Sequence, residues 1–314
     1  MDDDQAMRKM SRRSFIWAGV AVAGALGGLS WINNRASDAD GVKRPFREAL
    51  LLSEGVWSAL YSPDRLVPTY DPGRRTAERV NGRYGLTKDF DPSKWTLTVL
   101  GVHGQTKPVV LKMEDILKLP SMEMTTEFFC IEGWSIIQTF KGVPFREFMK
   151  LYPPGTLSGS APDIENRPHD LLPYVGMETP DPAPADESDD SADDSSSDSS
   201  SSQDDSSDDS ASANDDASDS ADDGDDEEDP ETRRERATKY FVGLDVASAL
   251  HPQTMLCYEL NGKPLTLDHG APLRLVIPTK YGVKNIKRIG AITYSKTRPE
   301  DLWAKDGYDW YAGL

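Results

Sequence analysis

An acidic tract in the second half of the chain constrains the fold more than any other feature. Residues 181–230 hold 22 of the 53 Asp and Glu residues of the chain and none of its 35 Lys and Arg residues. Such a segment has almost nothing apolar to bury and repels itself, so the sequence predicts that it stays disordered. Short β-like runs continue on both sides of it. We therefore expect one folded domain that this tract interrupts, with the ends of the interruption close together.

The charge of the tract bears on the partners of the protein. Its many oxygen atoms suit Ca²⁺, but it lacks the Gly-punctuated spacing of an EF-hand loop. A solvated insertion is therefore the favoured interpretation, and a weak calcium-binding surface is the alternative. The tract also accounts for the net charge of −18, because the other residues are 31 acids against 35 bases. Those bases are scattered and form no stripe that would follow a phosphate backbone, which argues against nucleic acid as a partner.

The N-terminus has the pattern of an export signal. Basic residues up to Arg13 precede an apolar run over 15–32 that is rich in Ala and Gly. An uncleaved membrane anchor is the alternative, because about 18 mostly apolar residues lie at the short end of what spans a bilayer. Small residues at Ala36 and Ala39 offer cleavage sites, and the pattern does not choose between them.

The folded part is dominated by short β-like runs separated by Gly, Pro and Asn. The pattern predicts strands over 95–99, 174–177, 254–260, 272–277 and 286–294. It predicts helices over 45–61, with an interruption near Gly55 and packing against the main body, and over 113–119, where Pro120 follows. Strands outnumber helices and do not alternate regularly with them. This indicates an α+β, mostly β domain rather than a doubly wound parallel sheet.

Cys130 is the first residue with a chemical signal. It follows two Phe residues and precedes Gly133, which permits a sharp turn, so its thiol is expected where a β-like run ends. A free Cys in such a place is more often a core residue than a ligand. The only other cysteine is Cys257, so a disulfide framework is excluded, while a single bridge between the two stays an alternative to a free thiolate.

A second group of signals lies between 258 and 287. Gly270 and Pro272 predict a tight loop that delivers Arg274 onto the next strand, where an Arg suits bidentate binding of a phosphate. Three lysines around Gly282, at positions 280, 284 and 287, suit an anion cradle of ammonium and backbone N–H groups. Taken alone, His269 and Arg274 are equally consistent with surface positions, and such lysine runs are usually solvated.

In combination these stretches resemble the molybdopterin-binding domain of the sulfite oxidase superfamily. The motifs Cys-Ile-Glu-Gly-Trp-Ser at 130–135, His-Gly-Ala-Pro-Leu-Arg at 269–274 and Tyr-Gly-Val-Lys-Asn-Ile-Lys at 281–287 occur in the order of that superfamily. The resemblance runs from about Asn81 to the C-terminus, without the acidic tract. It is greatest for the bacterial branch that includes the protein-methionine-sulfoxide reductase catalytic subunits. The resemblance implies a mixed, mostly β sulfite-oxidase-type fold.

The resemblance also implies a Mo-molybdopterin cofactor and its site. Cys130 matches the thiolate ligand of molybdenum, a soft donor suited to a redox-active metal. Arg274, Asn285, Ile286 and Lys287 match the residues that hold the pterin phosphate, and His269 stands where this branch often has Asn. The remaining cofactor-binding residues implied are Asn81, Tyr84, Gly85 and Thr179.

The same resemblance implies an exported oxidoreductase that transfers oxygen atoms. Residues 11–16, Ser-Arg-Arg-Ser-Phe-Ile, resemble the twin-arginine motif, which implies delivery of the folded protein to the periplasm. The implied substrate is an S-oxide such as methionine sulfoxide, in a protein or a small molecule, with electrons from a membrane haem-containing subunit. Animal-type sulfite oxidases carry an Arg-bearing segment after the cysteine where this chain has Ile-Glu-Gly-Trp, so reduction is favoured. The alternatives are a sulfite-type oxidase and a metal-free cell-envelope binding module.

The expected organisation therefore has four parts. A twin-arginine signal segment and linker occupies 1–40. The molybdopterin-binding domain comprises 41–180 and 239–314. The disordered Ser/Asp-rich insertion occupies 181–238 between them.

Overall fold

The structure is a computed structural model that describes residues 27–180 and 230–314. The predicted export signal up to residue 26, and the predicted insertion from 181 to 229, lie outside the described residues. Within the described ranges no helix combines the length and apolar character needed to cross a bilayer.

In the two described ranges, ten strands form two five-stranded sheets. In chain order they are β1 (Leu97–Leu100), β2 (Val109–Leu111), β3 (Met122–Phe129), β4 (Ser135–Pro144), β5 (Tyr174–Glu178), β6 (Phe241–Asp245), β7 (Met255–Leu260), β8 (Lys263–Pro264), β9 (Arg274–Val276) and β10 (Ala291–Ser295). The first sheet has the order β2-β1-β10-β5-β6, and only β1 and β10 pair in parallel within it. The second has the order β3-β4-β7-β8, with β9 also paired to β7.

Besides the helical residues 27–33, six helices accompany the sheets in the described part of the chain. They are α1 (Arg44–Leu60), α2 (Met113–Leu117), α3 (Phe145–Leu151), α4 (Pro230–Ala237), α5 (Val246–Ala249) and α6 (Leu302–Lys305). Single 3₁₀ turns occur at Pro72–Arg74, Pro92–Lys94, Pro168–Asp170 and Gly282–Lys284. With strands in the majority and no regular βαβ alternation, the predicted α+β, mostly β class is confirmed.

The main core lies between one face of the first sheet and the second sheet. Strands β1, β5 and β10 alternate buried and half-buried residues, as expected for strands with one face on a core. Their buried side chains pack with Val143, Leu256 and Leu275 from the second sheet and with Phe145 and Phe148 of α3. A smaller cluster around Met255 and Phe140 covers the other face of the second sheet. Strand β7 is therefore buried on both faces.

Strands β5 and β6 show where the chain is interrupted. They pair antiparallel up to Glu178 and Phe241, and the backbone N–H of Thr179 donates to the Tyr240 carbonyl at 2.9 Å. The expectation that the two ends of the interruption lie close together is confirmed.

Helix α4 differs from the predicted organisation, because it falls inside the segment expected to be disordered up to 238. Its Glu235 carboxylate accepts from the Arg83 N–H at 3.1 Å, and Arg236 donates to the Leu86 carbonyl at 2.5 Å. These contacts order the returning chain. The folded domain accordingly resumes at Pro230.

Helix α1 matches the predicted helix over 45–61, but Gly55 does not interrupt it. Pro45 occupies its first turn, where a missing N–H costs nothing. The helix contributes no buried residue. The expected packing against the body is made mainly by polar groups, such as Arg47, whose guanidinium donates to the Ala304 carbonyl at 3.1 Å.

Candidate active site

The turn between β3 and β4 carries Cys130. The Cys130 N–H donates to the Trp134 carbonyl at 2.9 Å, and the Gly133 N–H donates to the Cys130 carbonyl at 3.1 Å. Gly133 adopts φ +92°, a conformation that a side chain would disfavour. Cys130 is free rather than disulfide-bonded, and only 4% of it is exposed. As predicted, the thiol lies just where the strand ends.

The thiol faces an amide donor from the loop before the first sheet. The Asn81 Nδ2 atom lies 3.2 Å from the Cys130 Sγ atom, within hydrogen-bond range for sulfur. Burial raises the pKa of the Cys130 thiol, and the Glu132 carboxylate beside it adds to that rise. The Asn81 amide and the Glu132 backbone N–H act in the opposite direction, because they stabilise the thiolate. Cys130 is thus a buried thiol with donors already aimed at its charged form.

Arg274 and His269 lie on the opposite wall of the same cavity. Arg274 sits on β9 with 6% exposure, and its guanidinium donates to the carbonyls of His269 and Asn285 at 3.3 and 3.4 Å. The Asn285 side-chain oxygen accepts from the Ile277 N–H at 2.8 Å, which holds the 3₁₀ turn beside β9. Burial lowers the pKa of His269, and Arg274 and Lys287 lower it further. His269 is therefore neutral at pH 7.

Lys287 joins three segments of the chain at this wall. Its Nζ atom donates to the carbonyls of Asn81, Gly82 and Asp268 at 2.7, 2.9 and 2.8 Å. Burial, followed by the nearby Arg274 charge, lowers the pKa of Lys287 to about 7. The ammonium group is thus held by neutral carbonyls only, in a region crowded with other cations.

The other two lysines of the predicted anion cradle point elsewhere. Lys284 is 1% exposed and forms a buried ion pair with Asp301. Lys280 lies over the Tyr311 ring, 3.7 Å from the Asp245 carboxylate. The prediction of three lysines around one anion is therefore wrong for two of them, because their ammonium groups are committed to acids and aromatic rings of the core.

These walls enclose a cavity of about 490 Å³, which lies within the usual range for small-molecule sites. The predicted site residues that line it are Asn81, Tyr84, Cys130, His269, Arg274, Asn285 and Lys287. Three others do not line it. Ile286 is fully buried in the main core, while Gly85 and Thr179 pack on each other behind the cavity.

Part of the aromatic wall of the cavity, Tyr240 and Trp303, was not predicted from the sequence. Trp134 donates from its indole N–H to the Glu132 carboxylate at 2.8 Å, and the Arg79 guanidinium lies 4.3 Å from its ring centroid. On another side the Trp303 indole N–H donates to the Tyr240 hydroxyl at 2.8 Å. Trp134 adjoins the cysteine motif and was detectable. Trp303 and Tyr240 had no local signal, since they approach only through the pairing of β5 with β6 and the placement of α6.

Two kinds of sequence comparison show what this chain is similar to. The family model of the oxidoreductase molybdopterin binding domain matches residues 211–303. A protein of Azospira oryzae, named as a candidate protein-methionine-sulfoxide reductase subunit YedZ1, is 25% identical over 96% of this chain and 88% of its own length. The protein-methionine-sulfoxide reductase catalytic subunit MsrP of Xanthomonas axonopodis is 29% identical over 74% of this chain.

This chain spans only part of two of these relatives. It spans 60% of the Xanthomonas MsrP, and 59% of the MsrP of Campylobacter jejuni, to which it is 27% identical. Among solved structures, the sulfane dehydrogenase SoxCD from Paracoccus pantotrophus aligns with 68% of this chain and 41% of that chain, at 16% identity and a TM-score of 0.40.

Proposed function

We propose that the chain is an exported molybdoenzyme of the sulfite oxidase superfamily that reduces S-oxides such as methionine sulfoxide, which its match to the oxidoreductase molybdopterin binding domain supports. The observation that carries this proposal is the pairing of a buried thiol, Cys130, with a cationic wall across one cavity. Such a cavity matches a group with a metal at one end and a phosphate at the other.

The residues present fit a molybdopterin cofactor. Side-chain nitrogens of Arg83, His269 and Arg274 are buried without a hydrogen-bond partner among the described residues, and all three residues line the cavity. Buried donors without acceptors cost free energy, so they indicate an acceptor that belongs there. A phosphate is such an acceptor, and its charge would offset the cations that lower the pKa of Lys287.

The metal end of the cofactor fits as well. The described residues contain no cluster of three or more His, Cys, Asp or Glu side chains that could hold a metal ion by themselves. A metal here would need most of its ligands from an organic group, with Cys130 adding one soft thiolate. Asn81 would orient that thiolate through its amide at 3.2 Å.

When bound, the molybdenum cofactor supplies two-electron oxygen-atom transfer, in which an S-oxide, two electrons and two protons give a sulfide and water. The protein holds the phosphate with Arg274, Arg83 and Lys287, and it presents the Cys130 thiolate. The half-buried rings of Phe128 and Trp134 line the cavity with the thiol and limit the access of water to the reacting group.

The surroundings of the thiol support reduction rather than sulfite oxidation. The Glu132 carboxylate lies beside Cys130, and its charge raises the pKa of the thiol. A carboxylate in this place repels sulfite, whereas a sulfoxide is neutral and needs little beyond a donor and an apolar wall. Phe128, Trp134 and Ile136 supply that wall.

Export and electron supply complete the proposal. The twin-arginine-like residues at 11–16 support delivery of a folded, cofactor-loaded protein to the periplasm. Relatives named as subunits of protein-methionine-sulfoxide reductase support a partner subunit. We infer that this partner is a membrane haem protein that donates the electrons.

The test compares the two cysteines. Cys130→Ser should lose molybdenum and viologen-dependent methionine sulfoxide reduction, because a hydroxyl is a hard, weakly acidic donor. Cys257→Ser is the matched control, since Cys257 is buried away from the cavity and donates to the Glu259 carbonyl at 3.1 Å, a contact that a hydroxyl can keep. Full metal content and activity in Cys130→Ser would refute the ligand assignment. Sulfite oxidation without sulfoxide reduction in the wild type would reverse the direction.

A further inference from the structure

Helix α1 is attached to the domain by its polar side. Arg47 pairs with Asp38 at 2.6 Å and with Asp40 at 3.2 Å, and it also donates to the Ala304 carbonyl. Farther along, Glu54 pairs with Arg298 at 2.8 Å. A surface helix normally turns its apolar side to the core and its charges to water. The inner side of α1 instead combines the charged Arg47 and Glu54 with the half-buried Leu50, and other apolar side chains of the helix face outward.

The apolar side of α1 is consequently left open. Leu52 is 71% exposed, Val56 50% and Leu60 53%, and these residues follow one another at helical spacing. Phe46 and Leu51 flank them with 51% and 49% exposure. At about 100° per residue, Leu52, Val56, Leu60 and Phe46 form a stripe about 120° wide, and Leu51 lies about 100° beyond it, past Glu48. A stripe of this width is typical of an amphipathic helix whose apolar side is covered.

The chain just before α1 extends this apolar surface. Residues 27–33 are helical, with Leu29 61% and Trp31 53% exposed, and they form the end of the apolar run 15–32. The Arg35 guanidinium lies 4.4 Å from the Trp31 ring centroid. An exposed Trp beside basic residues, next to an apolar helix face, is the pattern of a segment at a membrane surface.

The charges around α1 agree with that pattern. Asp38 and Asp40 are both paired with Arg47, and Glu54 is paired with Arg298. On the outward side Glu48 is the exposed acid, while Arg44 is exposed at the start of the helix and Lys43 and Arg35 precede it. The basic residues therefore cluster at one end of the apolar face.

We propose that the outward face of α1, together with residues 27–33, lies on a lipid membrane. The exposed Trp31 beside Arg35 favours lipid over a single partner helix, and the apolar run that leads into this surface favours it over a second copy of the chain. The inference rests on the surface alone and not on the redox chemistry.

This placement would bring the cofactor cavity near the membrane. Arg47 of α1 contacts Ala304 of α6, and the neighbouring Trp303 lines the cavity. A lipid-bound α1 would thus lie within one short helix of the proposed active site. A membrane-embedded electron donor would then need to reach only a short distance.

The test places an environment-sensitive fluorophore on the full-length holoenzyme at Leu52→Cys. The matched control is Gln105→Cys, an exposed residue in the loop between β1 and β2. Vesicles of phosphatidylcholine, with or without phosphatidylglycerol, and the same vesicles made with brominated acyl chains report contact with lipid. We expect the Leu52→Cys probe to shift to the blue and to be quenched about two-fold or more by brominated lipid, because the apolar face of such a helix enters the acyl boundary. The probe at residue 105 should not respond.

Three outcomes would overturn the proposal. Binding of the protein to vesicles while the probe at residue 52 stays in water would mean that the N-terminal run alone binds lipid. Burial of the probe without vesicles, in a concentration-dependent way, would indicate a second copy. A blue shift without vesicles at every concentration would mean that another part of this chain covers α1.

Discussion

The contact between Gly85 and Thr179 offers a sharp test of how the site is built. Gly85 has φ +69°, and a Cβ atom added there would lie 2.5 Å from the Thr179 Oγ1 atom and 2.8 Å from its Cγ2 atom. Nearby Gly82 has a similar φ of +62°, but a Cβ added to it meets nothing within 4 Å. A comparison of alanine substitutions at these two glycines therefore distinguishes the cost of backbone strain from the cost of a steric clash.

The expected costs follow from that difference. An Ala at either position lowers the stability by about 1–2 kcal/mol, because the left-handed backbone conformation is unfavourable for a residue with a side chain. Gly85→Ala should lower the stability by about 1–3 kcal/mol more, because its Cβ clashes with Thr179. Thr179 cannot move away freely, since it is 1% exposed and its hydroxyl accepts from the Tyr240 N–H at 3.0 Å. We therefore expect a loss of about 2–5 kcal/mol for Gly85→Ala against about 1–2 kcal/mol for Gly82→Ala.

Urea unfolding followed by Trp fluorescence measures both losses, and molybdenum analysis measures the effect on the site. Because Asn81 and Tyr84 of this loop line the cavity, Gly85→Ala should also lower the molybdenum content. Adding Thr179→Ser, which removes the Cγ2 contact, should restore about 1 kcal/mol as a coupling between the two sites. Equal losses for the two glycine variants, or no coupling with Thr179, would refute the packing described here.

Two other predictions concern the acidic tract and the buried lysine. Replacing 181–229 with a short Gly/Ser linker should leave molybdenum content and Tm nearly unchanged, whereas extending the deletion through Ala237 removes the contacts of α4 and should lower both. Equal losses of molybdenum content and Tm in the two deletion variants would contradict this role of α4. For Lys287, whose pKa falls from 10.5 to about 7 on burial, the cost of the buried charge is fully present below pH 7 and is relieved as pH rises towards 10.5. Cofactor-free protein should therefore gain stability between pH 7 and 9, and the Lys287→Met variant should gain less. Urea unfolding at several pH values measures the free energy of unfolding. The same pH dependence in both proteins would contradict the buried ammonium.

Local patterns predicted the elements whose signals are local. Strand β5 matches the β-like run predicted over 174–177, and α2 lies within the helix predicted over 113–119, although it ends at Leu117. The run predicted over 286–294 begins as a strand only at Ala291, because Arg288 adopts φ +48° and turns the backbone. The β3–β4 hairpin was missed apart from its turn, since β4 lies in the middle of a sheet and does not alternate cleanly.

The site likewise contains residues that local motifs predict and residues whose position depends on distant parts of the chain. Cys130 and Arg274 stand in recognisable motifs, and the structure places both at the cavity. Lys284 stands in a motif as well, yet its partner Asp301 lies 17 positions away and draws the side chain into the core. Charge type and spacing indicated an anion site, but which cations face it depends on long-range pairing. No pattern within the 280–287 run carries that information.

The way the cavity is assembled has a consequence for the order of synthesis and cofactor loading. Its lining comes from 78–84, 128–140, 232–240 and 260–308, so a ribosome-bound chain that lacks the last of these segments has a thiol but no complete wall. Domains generally fold as units during synthesis. Cofactor capture is therefore a late event, which only a nearly finished chain can perform. A premature stop before Trp303 should then yield protein without molybdenum, even though Cys130 and Arg274 have both been made.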